Sequence, residues 1–375
     1  MCAFSLNIKS GITYGSVNRI GSLVEKYADN ALIISENILS NFGLPGLIKD
    51  SLKKKEIKSI LFDEVAPNPG SRVAEKVIDF AKISHIKAVI GIGGVGLLSI
   101  AKIVSKLVPN TIGLDDYLSY THFKKKLPES LPYIEIPASF RNPFAFTGFS
   151  LIIDSASRSP RLINFESPPD EILFDPDITA TLSDKYSSSI LFDILLHAVE
   201  GYFSSKATFL SDTYFLQAIK LVISSIIMKL TTPANESIRR YASQAGFLTS
   251  LGLYAMEPEM GGRITFSING LFKLSKSWIS TVISPHILGF NANCFPDKIK
   301  ILDELISNNP YFTNDRDSDI VEKIRNFIVS LQLPMRLSDF GIKIEDISRI
   351  IEGVNSLDTK KIPPDILSEI LNNAL

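Results

Sequence analysis

In the first half of the chain, apolar residues come in short unbroken runs: Ala31-Leu32-Ile33-Ile34-Ser35, Ser59-Ile60-Leu61-Phe62-Asp63 and Ala88-Val89-Ile90-Gly91-Ile92. Each is bounded by turn-forming or charged residues, the pattern of a strand covered on both faces. Between them the apolar positions recur at helical spacing, over Ile38 to Lys53 and Arg72 to Ile83, and a third such segment, Leu97 to Leu107, follows the third run directly. Alternating strands and helices imply a parallel sheet with helices against its faces. Further β-like runs follow at Phe149 to Asp154, Arg161 to Phe165 and Glu171 to Phe174, and the α/β pattern ends near Asp175-Pro176-Asp177-Ile178.

From Ser183 onward the periodicity is helical almost without a break. It predicts helices over Ser187–Phe203, Thr208–Leu230, Glu236–Leu251, Ser275–Phe290, Asp297–Ser307, Ser318–Leu331, Ile344–Val354 and Pro364–Leu375, with Pro, Gly or Asn at most junctions. The expected architecture is two domains: a Rossmann-like parallel-sheet α/β domain over residues 1–180 and an all-helical domain over 181–375. The longest apolar stretch, Tyr214 to Leu230, carries Lys220 and Lys229; it reads as a buried amphipathic helix, too short to span a bilayer.

Composition narrows the function. Of 375 residues, 45% are hydrophobic and 21% charged, and the net charge is −1. That is a globular balance without a nucleic-acid footprint, Lys53-Lys54-Lys55 and Lys124-Lys125-Lys126 reading as solvated charge. Two cysteines, Cys2 and Cys294, are too few for a disulfide framework or a cysteine-rich metal site. No basic segment followed by a long apolar run opens the chain, so the expected compartment is reducing and cytoplasmic, with no membrane partner.

Two stretches carry candidate chemistry. At the third strand-to-helix junction, Gly91-Ile92-Gly93-Gly94-Val95-Gly96 either lets a phosphate approach the helix N-terminal amides or merely permits a tight turn. Glu36, at the end of an earlier strand, either accepts hydrogen bonds from a ribose diol, favouring NAD over NADP, or sits as an N-terminal helix charge. In the second half, Asp193 and His197 lie four residues apart with Glu200 extending their face, a spacing that suits one cation or a local polar pair.

These stretches, in this order, resemble the iron-containing (group III) alcohol dehydrogenase family across nearly the whole chain. The pieces are Gly15, Ala31 to Glu36, Val65-Ala66-Pro67-Asn68-Pro69, Gly91 to Lys102, Ile136-Pro137-Ala138-Ser139 and Phe174 to Ile178. In the second half, Asp193, His197, Ala198, Glu200 and Tyr202 match the first metal-binding helix. Pro285 to Asn291, Leu333 to Leu337 and Phe340-Gly341-Ile342 match later segments. The resemblance implies NAD(P)-linked interconversion of a small alcohol and its aldehyde or ketone in a homodimer. The cofactor would lie along Glu36, Asn68, Gly93, Gly94, Gly96 and Ser139, and an iron or zinc ion would be held by one Asp and three His.

The chain departs from that pattern at the metal. Its four histidines are His85, His122, His197 and His286, and none lies between His197 and His286, where the family places two ligands. Lys276 falls at the last of these, and Gly262 to Phe266 occupies the region of the preceding histidines; His286 matches no ligand. Asp193 and His197 are left as a partial set, with Glu257 or Glu259 as candidate additions, and tight divalent metal is not expected. Lys276 would then supply the missing positive charge. On the nucleotide side, the family's G-G-G-S-x-x-D reads Gly93-Gly94-Val95-Gly96-Leu97-Leu98-Ser99. Its I-P-T-T-A-G-T-G-S-E reads Ile136 to Ala145, with Arg141 either contacting a phosphate or blocking the site. Three functions remain in play: a dehydrogenase with altered chemistry, a non-catalytic relative, and a nucleotide-using lyase or synthase.

Overall fold

The computed structural model describes residues 9–65, 69–119, 127, 129–165, 167–254, 256–312, 319–357 and 360–375. Asn68, His122 and Lys124-Lys125-Lys126 lie outside them. The chain forms two compact units, Met1–Thr181 and Leu182–Leu375.

The first unit contains β1 (Lys9–Ile12), α1 (Ile20–Val24), β2 (Asn30–Glu36), α2 (Asn37–Ser40), α3 (Leu44–Lys53), β3 (Lys58–Val65), α4 (Ser71–Ile83), β4 (Val89–Gly93), α5 (Val95–Leu107), α6 (Leu114–Ser119), β5 (Tyr133–Pro137), β6 (Phe149–Ile153), β7 (Pro160–Asn164) and β8 (Glu171–Phe174). Six strands make one parallel sheet in the order β1-β8-β5-β4-β2-β3, while β6 and β7 pair antiparallel beside it. The unbroken apolar runs follow from burial on both faces, since successive side chains leave a strand on opposite sides. In β2, Leu32 and Ile34 join the core under α4 and α5, and Ala31 and Ile33 join the one under α1 and α3. In β5, Ile134 and Ile136 belong to the α1/α3 face and Tyr133 to the α5 face, so Glu135 is turned toward α5.

The helix expected over Ile38 to Lys53 is interrupted. Gly43 adopts φ 72°, a left-handed conformation that glycine takes without strain, and the chain reaches α3 through a turn. Strand β1 was not expected; it pairs with β8, and Asp175 fixes the segment that follows it. The Asp175 carboxylate accepts from Gly15 N (3.3 Å), Ser16 N (2.7 Å), Ser16 Oγ (2.9 Å) and Asp177 N (3.0 Å).

The second unit is helical: α7 (Asp184–Phe203), α8 (Phe209–Thr231), α9 (Ser237–Gly252), α10 (Met260–Phe272), α11 (Lys276–Cys294), α12 (Pro296–Ser307), α13 (Ile320–Ser330), α14 (Ile347–Asn355) and α15 (Pro364–Ala374). Its core joins Leu196 of α7 to Ile264 and Ile268 of α10, Ile279 and Ile283 of α11, and the apolar faces of α14 and α15. Helix α8 needs a correction. At 23 residues it is long and apolar enough to cross a membrane by length and composition, and only 39% of that apolar window is buried. Its buried stripe, Phe215, Ile219, Val222 and Ile226, nevertheless belongs to this unit, and the Phe215 ring lies where Cβ atoms on Gly201 of α7 and Gly252 of α9 would be.

Helix α10 escaped the periodicity because it opens on Gly261-Gly262, a poor helix former. What holds it is a carboxylate from α7: Glu200 accepts from the amides of both Gly261 and Gly262, two of the donors a helix start leaves without internal partners.

Candidate functional site

In the helical unit, α7, α10 and α11 converge on Asp193 and His197. Asp193 Oδ1 is 3.9 Å from His197 Nε2, and both side chains are buried. The Ser280 hydroxyl of α11 donates to the same Oδ1. Thr265 Oγ1 of α10 lies 3.2 Å from Ser280 Oγ, and Ser284 Oγ donates to the carbonyl oxygen of Ser280. One hydroxyl, that of Ser280, is thus bonded to the carboxylate, with Thr265 bonded in turn to Ser280. Glu200, one turn along α7, is pushed up to about 8 by burial, against the opposing effect of the Gly261 and Gly262 amides.

At Gly262 a Cβ would stand 3.1 Å from His197 Cε1, and the Phe266 ring centroid is 6.2 Å from that of His197. The positions matching the family's preceding histidines thus adjoin His197, yet they offer no nitrogen. Lys276, half-buried, opens α11 one turn before Ser280 and so shares its face. Glu257 pairs with Lys206 at 3.4 Å, and Glu259 accepts from Ser204 Oγ at 2.6 Å. Among the described residues no group of three or more His, Cys, Asp or Glu could hold a metal ion. A carboxylate that already takes a serine hydroxyl, beside one imidazole, does not fit a tightly held iron or zinc.

In the α/β unit, Glu36 at the end of β2 accepts from Gly94 N at the start of α5 (3.0 Å). Its carboxyl carbon lies 3.3 Å from where a Cβ on Gly93 would be. Gly91 serves packing: a Cβ there would meet Ala101 Cβ at 2.7 Å and Tyr133 Oη at 3.0 Å. Ser99, in place of the family's aspartate, accepts from Leu151 N of β6 at 3.0 Å. Ser139 is buried and its hydroxyl donates to the Arg141 carbonyl at 3.0 Å.

Sequence reasoning passed over a second buried cluster here. Lys102 Nζ on α5 donates to the carbonyls of Phe144 (2.9 Å), Thr147 (2.9 Å) and Phe149 (3.1 Å). Glu135 on β5 accepts from Asn142 Nδ2 at 2.6 Å and from Tyr133 Oη at 3.3 Å. Burial pushes Lys102 down to about 8, opposed by attraction to Glu135; burial likewise raises Glu135, opposed by Lys102. One signal was available: Glu135 is the only charge inside the strand Tyr133-Ile134-Glu135-Ile136-Pro137.

Comparison with known proteins agrees across both units. The model of the iron-containing alcohol dehydrogenase family matches residues 10–176, and that of the Fe-containing alcohol dehydrogenase family C-terminal region matches 189–361. Long-chain-alcohol dehydrogenase 1 of Geobacillus thermodenitrificans (strain NG80-2) is 22% identical, over 89% of this chain and 85% of its own. The NAD-dependent methanol dehydrogenase of Bacillus methanolicus is 21% identical over 100% of both chains. Among solved structures, NADH-dependent butanol dehydrogenase A of Thermotoga maritima superposes with a TM-score of 0.84 at 18% identity, over 100% of this chain and 98% of the other.

Proposed function

The chain belongs to the iron-containing alcohol dehydrogenase family, and from that premise we propose that it is a divergent member: an NAD(P)-linked oxidoreductase that interconverts a small alcohol and its aldehyde or ketone without the family's tightly bound metal. The observation that carries this reading is the Ser280 hydroxyl on Asp193, with Lys276 and the segment Gly262 to Phe266 standing where the ligand histidines are expected.

A bound nicotinamide would supply the hydride acceptor or donor. The chain's own residues do the rest. Gly93, Gly94, Gly96 and Ser139 would line the cofactor, as would Asn68 by the family resemblance alone, and Glu36 would favour NAD by repelling a 2′-phosphate. Lys276 would bring an ammonium to the face of α11 that carries Ser280, where it would stabilise the alkoxide left when the alcohol's hydroxyl proton passes to solvent, before the carbinol C–H gives its hydride to the nicotinamide. The cofactor named for the methanol dehydrogenase relative supports the choice of NAD. A homodimer and a cytoplasmic location belong to the same proposal.

A non-catalytic relative is the second reading. It is favoured by Glu36 already occupying the Gly94 amide and by Phe140 and Phe144 packed into the segment that would face the cofactor.

Metal analysis of the purified chain, joined to calorimetric titration with NADH and NADPH, separates the two. Nicotinamide binding without stoichiometric metal supports the dehydrogenase; binding neither supports the non-catalytic relative. Stoichiometric zinc or iron overturns the proposed loss of metal. Lys276→Ala should abolish turnover, by roughly 100-fold or more, while NADH affinity stays near wild type; unchanged turnover removes Lys276 from the chemistry.

A further inference from the structure

We propose that Glu135 has taken over, from the neighbouring strand, the counter-charge that the family's motif carries ten residues later, and that the Lys102–Glu135 pair positions the loop over residues 138–149. The proposal rests on the reading of this unit as a nucleotide-binding domain.

The family's segment ends in glutamate where this chain has Ala145, which is fully buried. Lys102 is retained from the family's glycine-rich segment, and its three protons go to the carbonyls of Phe144, Thr147 and Phe149, flanking position 145 on both sides. Carbonyl dipoles solvate an ammonium but do not neutralise it, so a lysine buried away from water calls for an anion nearby. Glu135 answers that need. It is fully buried on the α5 face of β5, and it reaches the same loop through Asn142, whose Oδ1 in turn accepts from Phe144 N at 3.0 Å. Lys106 is a further cation acting on Lys102, Tyr133 donates to Glu135, and Arg141 is a buried cation within the loop itself.

The loop is thereby held from two elements at once. Lys102 grips its second half from α5, and Glu135 grips Asn142 from β5. Between β5 and the Asn142 anchor lies Ser139, tied to Arg141. Geometry at Ser139 thus depends on two charges that themselves touch no cofactor, which makes Lys102 and Glu135 positioning residues.

A charge relocation tests this in the full chain, read by hydrogen exchange of the 140–149 amides and by calorimetry with NADH. Glu135→Leu should speed exchange across the loop by about ten-fold or more. Adding Ala145→Glu to it should bring exchange back to within roughly three-fold of the parent and restore whatever NADH affinity was lost. Should Glu135→Leu fail to fold, Glu135→Gln keeps an acceptor for Asn142 and removes the charge; it should show the same acceleration and the same rescue. Parent-like exchange in the Glu135 variants, or a folded double variant without rescue, overturns the proposal. Absence of NADH binding in every protein, with exchange responding as described, refutes the nucleotide reading and leaves the charge relocation standing.

Discussion

The two buried polar clusters are built in opposite ways. Around Asp193 the neighbours are hydroxyls: Ser280 donates to the carboxylate, and Thr265 lies beside Ser280. Around Lys102, a buried carboxylate from β5 faces the ammonium, each opposing the effect of burial on the other. The difference lies in what each remaining group requires. Asp193 has a hydroxyl donor in Ser280. An ammonium with three carbonyl acceptors has its hydrogen bonds but keeps its charge.

The largest expected effect breaks the ionic side. Lys102→Met removes the cation and three hydrogen bonds, and should cost about 3–5 kcal/mol in urea unfolding, because the Glu135 carboxylate is left without its opposing charge. The sign of its pH dependence follows. Glu135 in that variant has a folded pKa raised further above its unfolded value, so the deficit is smallest in acid, where the group is protonated in both states, and grows as pH rises through the folded pKa. Lys102→Met/Glu135→Leu should recover much of the loss. A deficit independent of pH would mean that Glu135 carries no charge here.

On the neutral side the cost should be smaller. Ser280→Ala removes one donor from Asp193 and the partner of Thr265, for about 1–3 kcal/mol. Urea midpoints of the two variants, measured together, compare the clusters directly. Equal losses would end the distinction between them.

The same contrast explains what was legible in the sequence. Strands β2 and β4 were readable because a doubly covered strand must be apolar throughout, and the Asp193–His197 pair because helical spacing alone puts both on one face. Helix α10 was hidden: its start depends on a Glu200 carboxylate 61 residues earlier in the chain, and Gly261-Gly262 argues locally against it. Ser280 and Thr265 were invisible as neighbours of Asp193, since serines and threonines are common in any helix and only packing selects these two. Lys102 sits on a helix that is buried nearly all round. Its partners sit on a loop about forty residues away, with no periodicity to announce them.

Acid supplies the mildest way to sharpen the comparison, through His286 on α11, six residues beyond Ser280. Burial lowers its pKa to about 4 from the usual 6.5, and the charge of Arg325 pushes in the same direction. A histidine depressed on folding binds its proton in the unfolded chain first. Its contribution is therefore intact above pH 6.5 and is lost progressively as pH falls toward 4. A tenfold change in proton affinity is worth about 1.4 kcal/mol, but the ring is partly exposed, so a loss of about 1–2 kcal/mol is the reasonable expectation. His286→Gln should remove that loss, so that urea stabilities of wild type and variant, aligned at pH 7, diverge by this amount at pH 4. The hydroxyls around Asp193 do not titrate in this range, so a divergence confined to His286 would give the helical unit an acid sensitivity separate from the Asp193 cluster. If the two proteins lose stability in parallel, His286 is not held neutral by folding.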